Sequence, residues 1–91
     1  MPAKVRIPTA LRSLTGGSRE VEVAPGRISE IIEGLSAKYP DLGERLVGEE
    51  GKPRRFINIF VGEEDIRFLD GIETEVADGD VVTILPAVSG G

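Results

Sequence analysis

The sequence predicts one α+β domain in which a mixed sheet of four to five strands carries one main helix on one face. The chain has 91 residues, a length that supports a single hydrophobic core. Several strand-like segments precede and follow one stretch of helical periodicity. Hydrophobic residues make up 40% of the chain and charged residues 30%, a composition typical of a chain that folds by itself.

Two segments near the N-terminus alternate apolar and polar residues and predict a hairpin. Val5 and Ile7 alternate with polar neighbours, which predicts a first strand at about residues 3–9. A second alternation covers residues 19–23. The cluster at residues 15–18 contains two glycines and predicts the turn between the strands.

The following segment has the periodicity of one helix. Its apolar residues recur at the spacing of a single helix face, and they are Ile28, Ile31, Ile32, Leu35 and Tyr39. Either Arg27 or Ser29 caps the helix start, and Pro40 ends the helix. A glycine inside a helix costs about 1 kcal/mol relative to alanine, so Gly34 indicates either close packing against a neighbour or simple tolerance.

The next segment is polar and leads into a buried strand. It allows one helical turn at residues 42–46 and predicts an exposed loop at residues 48–53. Residues 56–61 are rich in β-branched and aromatic side chains and predict a central strand.

The last third of the chain predicts a short edge strand and a final strand. After a turn at residues 62–65, residues 66–68 predict the edge strand. Two further turns are predicted at residues 70–71 and 78–80, and residues 81–85 predict the last strand.

This order of elements predicts a β-grasp. A hairpin, a right-handed crossover through the helix and two further main strands place the first and last strands side by side in the middle of the sheet. The last strand then carries the C-terminus out of the sheet. The residues expected to face the helix are Val5, Ile7, Val21, Val23, Ile57, Ile59, Val82 and Ile84.

The composition argues against catalysis by the chain itself. The chain contains no cysteine and no histidine, which removes the thiolate nucleophile, the commonest base near neutral pH and the commonest transition-metal ligands. A net charge of −5 opposes nucleic-acid binding. The acidity favours a partner with a basic face or serves only solubility.

Neither end of the sequence has the pattern of a targeting or membrane segment. Residues 1–4 lack the apolar run of a secretory signal, and no stretch reaches membrane-spanning length. We therefore expect a cytoplasmic protein with no membrane partner.

Three short motifs do not fit the chemistry that they superficially suggest. Residues 78–80 lack the remaining ligands of a calcium loop, and the acidic residues 63–65 are better explained as a solvated turn than as an acid–base pair. Residues 16–17 lack the context of a phosphate loop.

The C-terminal residues are the strongest candidate site. Residues 1–87 are predicted to form the β-grasp domain and residues 88–91 a flexible tail that ends in Gly90 and Gly91. Glycine has no Cβ, so two terminal glycines can thread a narrow channel in a partner that activates the main-chain carboxylate. Pro86 fixes φ just before the tail or only ends the strand.

Several segments together resemble the ubiquitin-like sulfur-carrier family of MoaD, ThiS and CysO type. Residues 5–12 fit this family, and the other matching segments are Phe56-Ile57-Asn58-Ile59, Asp78-Gly79-Asp80-Val81-Val82, Ile84-Leu85-Pro86 and Gly90-Gly91. The resemblance covers nearly the whole chain. Residues 55–61, 65–68 and 84–91 look most like the CysO type, which feeds cysteine biosynthesis. The small subunit of molybdopterin synthase has the same ending and is the nearest alternative.

The resemblance implies a role as a protein cosubstrate. In this family an adenylyltransferase of the ubiquitin-activating type uses ATP and Mg to adenylate the terminal carboxylate, and a sulfur donor then displaces AMP. Gly91 would carry the resulting thiocarboxylate, and a biosynthetic enzyme such as a cysteine synthase would accept the sulfur. The chain itself would bind no cofactor and no metal. A protein modifier that links Gly91 to lysines, and a plain interaction module, are the other classes that the same tail allows.

Partner binding is expected on the sheet face opposite the helix. Alternation places Phe60 and Leu85 on that face, with Pro8 and Phe68 as neighbours, and Val88 and Ser89 are expected to join the contact. The aromatic residues could instead close the ends of the small core.

Overall fold

The structure is a computed structural model that describes residues 2–48, 53–54 and 56–86. The strands of this part of the chain are β1 (Ala3–Arg6), β2 (Glu20–Val23), β3 (Gly26–Arg27), β4 (Ile57–Val61), β5 (Glu64–Asp65), β6 (Glu75–Val76) and β7 (Val81–Pro86). The α-helices are α1 (Ile28–Lys38) and α2 (Pro40–Leu46). The predicted boundary between a domain at residues 1–87 and a tail at residues 88–91 lies outside the described residues.

Five strands form one mixed sheet in the order β2-β1-β7-β4-β5. β1 and β7 are parallel neighbours, with Val5 opposite Val82. β4 pairs antiparallel with β7, with Ile59 opposite Ile84. The first and last main strands therefore lie side by side, which confirms the predicted β-grasp arrangement.

One face of this sheet packs against α1. The predicted inward residues are buried, apart from Val23, which is partly buried and packs against the core. The helix contributes Ile28, Ile31, Ile32 and Leu35 to the same core, as predicted. Tyr39, the fifth predicted residue, follows the helix as its C-cap and is partly buried against the core. Burial of this apolar area is the main stabilising contribution.

The start of α1 settles the choice between its two predicted caps. Arg27 occupies the N-cap position but its side chain makes no cap hydrogen bond. Instead, the Arg27 backbone N–H donates to Glu30 Oε1 at 2.9 Å. A carboxylate near the helix start also complements the helix dipole.

The second helix is longer than the single turn that the sequence predicts. Pro40 ends α1 as expected and is also the first residue of α2, a position that proline favours. Leu42 and Leu46 are both fully buried. The predicted loop at residues 48–53 lies largely outside the described residues, but Val47 and Pro53 form a β-bridge across its base.

The close helix–helix contact is made by a different glycine from the one that the sequence pointed to. Gly34 is exposed, and a Cβ there would have no neighbour within 4 Å. Tolerance therefore explains Gly34. At Gly43, a Cβ would overlap the Ser36 hydroxyl and lie 2.9 Å from Ser36 Cα. α1 and α2 therefore pack closely at Gly43.

The connection between β1 and β2 contains a helix that the sequence did not predict. β1 ends at Arg6 rather than near residue 9, and Thr9–Thr15 form a 3-10 helix. Leu11 and Thr15 are buried in this segment. The Thr15 hydroxyl lies 3.1 Å from the Arg12 carbonyl oxygen and 3.0 Å from that of Ser18. Burial and these hydrogen bonds hold the segment against the domain, while β1 and β2 still pair as the predicted antiparallel strands.

The predicted edge strand at residues 66–68 is wrong. Ile66–Phe68 form a 3-10 helix, and the edge strand is the two-residue β5 immediately before it. The physical reason is the Asp65 side chain, which accepts a hydrogen bond from the Arg67 backbone N–H at 2.9 Å. Such a cap turns the chain out of the extended conformation.

A small second sheet closes one side of the core. β3 pairs with β6, and the Ile28 backbone N–H donates to the Thr74 carbonyl at 3.0 Å. Val76 is buried beneath this pairing. Within the described residues, no helix has the length and apolar character that crossing a membrane requires.

Candidate functional site

The last described strand delivers the C-terminal residues from the middle of the sheet. β7 pairs with β1 from Val81 to Thr83 and with β4 from Val82 to Pro86, so both neighbours hold its first half and β4 holds its end. Pro86 is its final residue. The five residues that follow, 87–91, lie outside the described part of the chain. Bond geometry limits Gly91 to within about 17 Å of Pro86, because an extended residue spans about 3.4 Å.

In the described part of the chain, the sheet face opposite α1 is not covered by an α-helix, and it extends along β7 to the last residues of that strand. Thr83 and Leu85 alternate with the buried Val82 and Ile84. Leu85 is 46% exposed, a high value for a large apolar side chain on a central strand. Register places Leu85 opposite Asn58 and Thr83 opposite Phe60. The outer face therefore offers apolar surface directly before residues 87–91.

A groove of about 600 Å³ runs along this face beside the end of β7. Its floor includes Thr83 and Leu85, and its wall includes Pro8. Arg6 is opposite Thr83 in the parallel register, so the chain beyond β1 runs beside the end of β7. The groove exists because two strands far apart in sequence are parallel neighbours.

Three arginines also line the groove, and we call it the arginine groove: Arg6, Arg12 and Arg19 surround Pro8 and Leu85. Arg6 lies 3.6 Å from the Glu20 carboxylate, and both side chains are substantially exposed. Arg12 Nε donates to the Ile7 carbonyl at 3.1 Å. Within the described residues, no carboxylate pairs with Arg12 or Arg19.

A fourth arginine, outside the groove, is held on the outer face across β4 from Leu85. Arg67 donates from its guanidinium to Asp65 Oδ2 at 2.7 Å and to Asn58 Oδ1 at 2.7 Å. The side-chain hydrogen bond from Arg67 is the main reason why the pKa of Asp65 lies below its ordinary value. The same hydrogen bond raises the pKa of Arg67. This network fixes the guanidinium in one position near the strand that carries the tail.

The structure brings together some of the predicted partner-binding residues and separates others. Pro8 and Leu85 line the same groove. Phe60 is half-buried on the same sheet face, opposite Thr83. Phe68 is 86% exposed on the 3-10 helix that follows β5, so it does not close the core.

The remaining predicted site residues lie outside the described residues, and their roles stay predictions. They are Val88, Ser89, Gly90 and Gly91.

Sequence patterns assigned no role to the arginines of the groove. Their spacing, at positions 6, 12 and 19, matches no helical or strand period. They converge because β1 pairs with β7 and because Thr9–Thr15 fold back as a 3-10 helix. The detectable signal was the set of three arginines among the first nineteen residues of a chain whose net charge is −5.

The acidic motifs form turns and an edge strand. Gly79 has a positive φ of 83°, and the Ala77 backbone N–H donates to Asp80 Oδ2 at 2.9 Å. This confirms the predicted turn at residues 78–80. The turn after β4 occupies Gly62 and Glu63 only, because Glu64 and Asp65 form β5. Over the described part of the chain, no group of three or more acidic side chains has the arrangement of a metal site.

Known proteins match this chain over its whole length. The model of the ThiS family matches residues 5–91. The sulfur carrier protein CysO of Mycobacterium tuberculosis is 47% identical over 93 residues, which cover 100% of both chains. A putative sulfur carrier protein of Archaeoglobus fulgidus is 35% identical over 91 residues, again 100% of both chains.

A solved structure agrees with the fold as well as the sequence. The crystal structure of the BexX/CysO complex of Amycolatopsis orientalis contains a chain that is 49% identical to this one. The two chains superpose with a TM-score of 0.89, over 98% of this chain and 99% of the other.

Proposed function

The chain belongs to the ThiS family, and we propose that it is a sulfur carrier whose last residue, Gly91, bears the sulfur as a thiocarboxylate. The observation that carries this proposal is the 47% identity to a sulfur carrier over the complete length of both chains. The sequence ends in the glycine pair that such chemistry needs. The protein acts as a cosubstrate of partner enzymes rather than as a catalyst.

The proposed chemistry explains why the chain needs no catalytic residues. A carboxylate is a poor acyl donor, so a partner first transfers AMP from ATP to the Gly91 carboxylate and releases pyrophosphate. A hydrosulfide equivalent then attacks the acyl carbon, and AMP leaves as its oxygen–carbon bond breaks. The product is a thiocarboxylate anion, and neither step changes the oxidation state of the acyl carbon. ATP, Mg and all acid–base groups belong to the partner, and the carrier supplies only a main-chain nucleophile.

The fold supports this role by holding the base of the tail. β7 lies between β1 and β4, and its last residue, Pro86, is paired with Ile57 of β4, so the sheet sets the position from which residues 87–91 start. A side chain is absent at both terminal positions, and backbone alone can enter a narrow active site there. The carrier thus combines a rigid domain that partners can recognise with a main-chain end that they can modify.

We assign the acceptor of the sulfur to cysteine biosynthesis. This finer assignment is supported by the identity to CysO chains, which exceeds the identity to the archaeal carrier. The acceptor would be a cysteine synthase, on which the nucleophilic sulfur displaces the leaving group of an activated serine and forms a carbon–sulfur bond. Hydrolysis of the resulting thioester then breaks the acyl–sulfur bond, releases cysteine and restores the Gly91 carboxylate. CysO of Amycolatopsis orientalis is known in a complex with BexX, and we expect this chain also to bind a protein partner.

Reconstituted loading tests the proposal. The wild-type chain, a chain lacking Gly91 and Gly91→Ala are incubated with host extract depleted of the carrier, together with MgATP and sulfide. Thiocarboxylate formation is followed by intact mass. We expect full loading of the wild type, none without Gly91 and slower loading of Gly91→Ala, because its added methyl group hinders threading.

The alternatives give different results in the same reaction. Equal loading of the chain that lacks Gly91 would show that the sulfur is carried elsewhere. If the wild type acquires no sulfur but leaves Gly-Gly remnants on lysines of other proteins, the chain is a protein modifier. Cysteine formation after addition of a cysteine synthase and an activated serine tests the acceptor separately.

A further inference from the structure

We propose that the arginine groove docks an acidic surface of the enzyme that activates the tail. The inference rests on the proposed function, because it concerns the partner that holds Gly91. It assigns a role to Arg6, Arg12 and Arg19 and commits to a protein partner that presents carboxylates.

The groove is basic in a chain that is acidic overall. Its lining contains three arginines and one acidic residue, Glu20, so its formal charge is +2 while that of the whole chain is −5. The average charge of the chain therefore does not explain the positive charge of the groove. A local field of opposite sign to the net charge orients a charged partner during encounter.

Charge is distributed unevenly between the two ends of β7. At its start lie the acidic turn residues Glu63 and Asp80, since the Gly62 backbone N–H donates to the Val81 carbonyl at 2.9 Å and the Lys4 backbone N–H to the Asp80 carbonyl at 3.0 Å. At its end lies the arginine groove. The carboxylates of Glu63 and Asp80 outnumber the single ammonium of Lys4 at the start of β7, whereas arginines outnumber Glu20 at its end.

The position of the groove brings it within reach of the activating enzyme. Leu85 lines the groove and is six residues before Gly91, a span of at most about 20 Å. An enzyme that encloses Gly91 therefore has its surface within about 20 Å of Leu85. The guanidinium groups there are available, because Arg19 is exposed and Arg12 is only partly buried.

The arginines are suited to bind carboxylates in a defined orientation. The hydrogen bond from Arg12 Nε to the Ile7 carbonyl at 3.1 Å fixes the plane of its guanidinium. A fixed guanidinium loses less entropy when it forms a bidentate contact with a carboxylate. Arg6 is already paired with Glu20 at 3.6 Å, so Arg12 and Arg19 are the groups left for a partner.

The other contents of the groove favour a protein over a nucleic acid. Pro8 and Leu85 supply apolar surface, and none of the lining residues is aromatic. Binding of single-stranded nucleic acid depends on aromatic side chains that stack on bases. An apolar centre bordered by arginines is instead typical of protein interfaces.

Charge reversal at Arg19 tests this docking site. Arg19→Glu removes no side-chain hydrogen bond or ion pair within the described residues, and Arg19 is exposed, so the domain should keep its stability. Lys38→Glu changes the net charge equally at the end of α1, on the other side of the sheet, and serves as the control. Arg12→Gln removes one charge and provides a second variant. Loading by the depleted host extract is measured as KM and kcat at two salt concentrations.

We expect KM to rise about tenfold for Arg19→Glu and less for Arg12→Gln, while kcat stays unchanged, because surface charge mainly governs encounter. The salt dependence of KM should weaken in both variants and not in Lys38→Glu. An unchanged KM and salt dependence for Arg19→Glu would overturn the docking site. An equal rise of KM in Lys38→Glu would show that only net charge matters and would also overturn it.

A binding experiment separates failure of this inference from failure of the proposed function. Backbone amide signals of the ¹⁵N-labelled wild type are followed while hexaglutamate, or a single-stranded oligonucleotide, is added. Shifts confined to the groove with hexaglutamate, and lost in Arg19→Glu, would support acidic docking even if no sulfur were loaded. No shifts in the groove, or tighter binding of the oligonucleotide at the same salt concentration, would contradict it.

Discussion

The two faces of the five-stranded sheet share the same strands but differ in almost every physical property. On the inner face, Val82 and Ile84 are buried under α1. On the outer face, Thr83 is partly exposed and Leu85 is 46% exposed. Adjacent residues of β7 therefore have different roles. The inner face determines whether the domain folds, and the outer face determines what can bind beside the tail.

This contrast makes β7 a place where stability and recognition can be separated by one residue. Its inner residues cannot contact a partner, because α1 covers them. Its outer residues contribute little to the core. Substitution of Ile84 should therefore change mainly the free energy of unfolding, and substitution of Leu85 mainly the KM for the activating enzyme.

The largest expected effect is on the inner face. Ile84→Ala removes a fully enclosed side chain that faces Ile59 across the strands, and we expect a loss of about 2 to 5 kcal/mol in the free energy of unfolding. Leu85→Ala should cost less than about 1 kcal/mol, because that side chain is half exposed. Urea unfolding monitored by circular dichroism measures both.

For loading with sulfur, we expect the outer residue to have the larger effect. Leu85→Ala should raise the KM for the activating enzyme, whereas Ile84→Ala, measured where it is still folded, should leave KM unchanged. If Ile84→Ala and Leu85→Ala lower the free energy of unfolding by the same amount, the division between the inner and outer faces is incorrect.

The helical layer offers a second inner and outer pair. Gly43→Ala places a methyl group against Ser36, with a backbone atom 2.9 Å away, and should destabilise the domain by about 1 to 3 kcal/mol. Gly34→Ala faces solvent with no neighbour within 4 Å and should stabilise it by about 0.5 to 1 kcal/mol. Thermal unfolding of both variants checks the signs. A stabilised Gly43→Ala would mean that the two helices do not pack as closely as described.

Asp65 is an exception to the division into a buried inner face and an exposed outer face, because it is a buried residue at the outer edge of the sheet. Asp65→Ala removes the cap on the Arg67 backbone N–H and should cost about 1 kcal/mol. Asp65→Asn keeps an acceptor oxygen but removes the charge, so its deficit should be smaller.

The pH dependence of that deficit follows from the lowered pKa of Asp65. Its pKa in the folded state lies below the ordinary value of 3.8, chiefly because of the side-chain hydrogen bond from Arg67. The carboxylate therefore adds stability above pH 3.8, and this contribution is lost as the pH falls through the folded-state pKa. Wild type and Asp65→Asn should converge in acid. A stability difference that grows below pH 3.8 would contradict this linkage.

Regular alternation, together with segments rich in β-branched residues, made the inner face predictable from sequence. Val5 and Val21 lie in period-two segments, Ile57 and Val82 lie in apolar segments rich in β-branched residues, and each is buried as expected. The pairing of β1 with β7 followed from the order of elements, since a right-handed crossover after a hairpin leaves few alternatives.

The connecting segments were less predictable because tertiary contacts decide their conformation. Thr9–Thr15 form a 3-10 helix through the burial of Leu11 and Thr15, which has no periodic signature in so short a segment. Ile66–Phe68 are apolar enough to resemble a strand, yet one carboxylate, Asp65, caps them into a helical turn.

The arginine groove could not be predicted from the sequence for a related reason. Net charge is a sum over the chain, whereas a binding surface depends on which charges the fold brings together. Arg12 and Arg19 are far in sequence from Leu85, and only the parallel register of β1 and β7 places them beside it.

The most direct test of the sulfur-carrier role is the intact mass of the protein recovered from its native host with minimal handling. We predict a fraction about 16 Da heavier, in which sulfur replaces one carboxyl oxygen of Gly91. Because the chain contains no cysteine, alkylation of that fraction at Gly91 would identify the thiocarboxylate and exclude methionine oxidation. Recovery of only the unmodified mass, even after supply of MgATP, sulfide and the activating extract, would contradict the account.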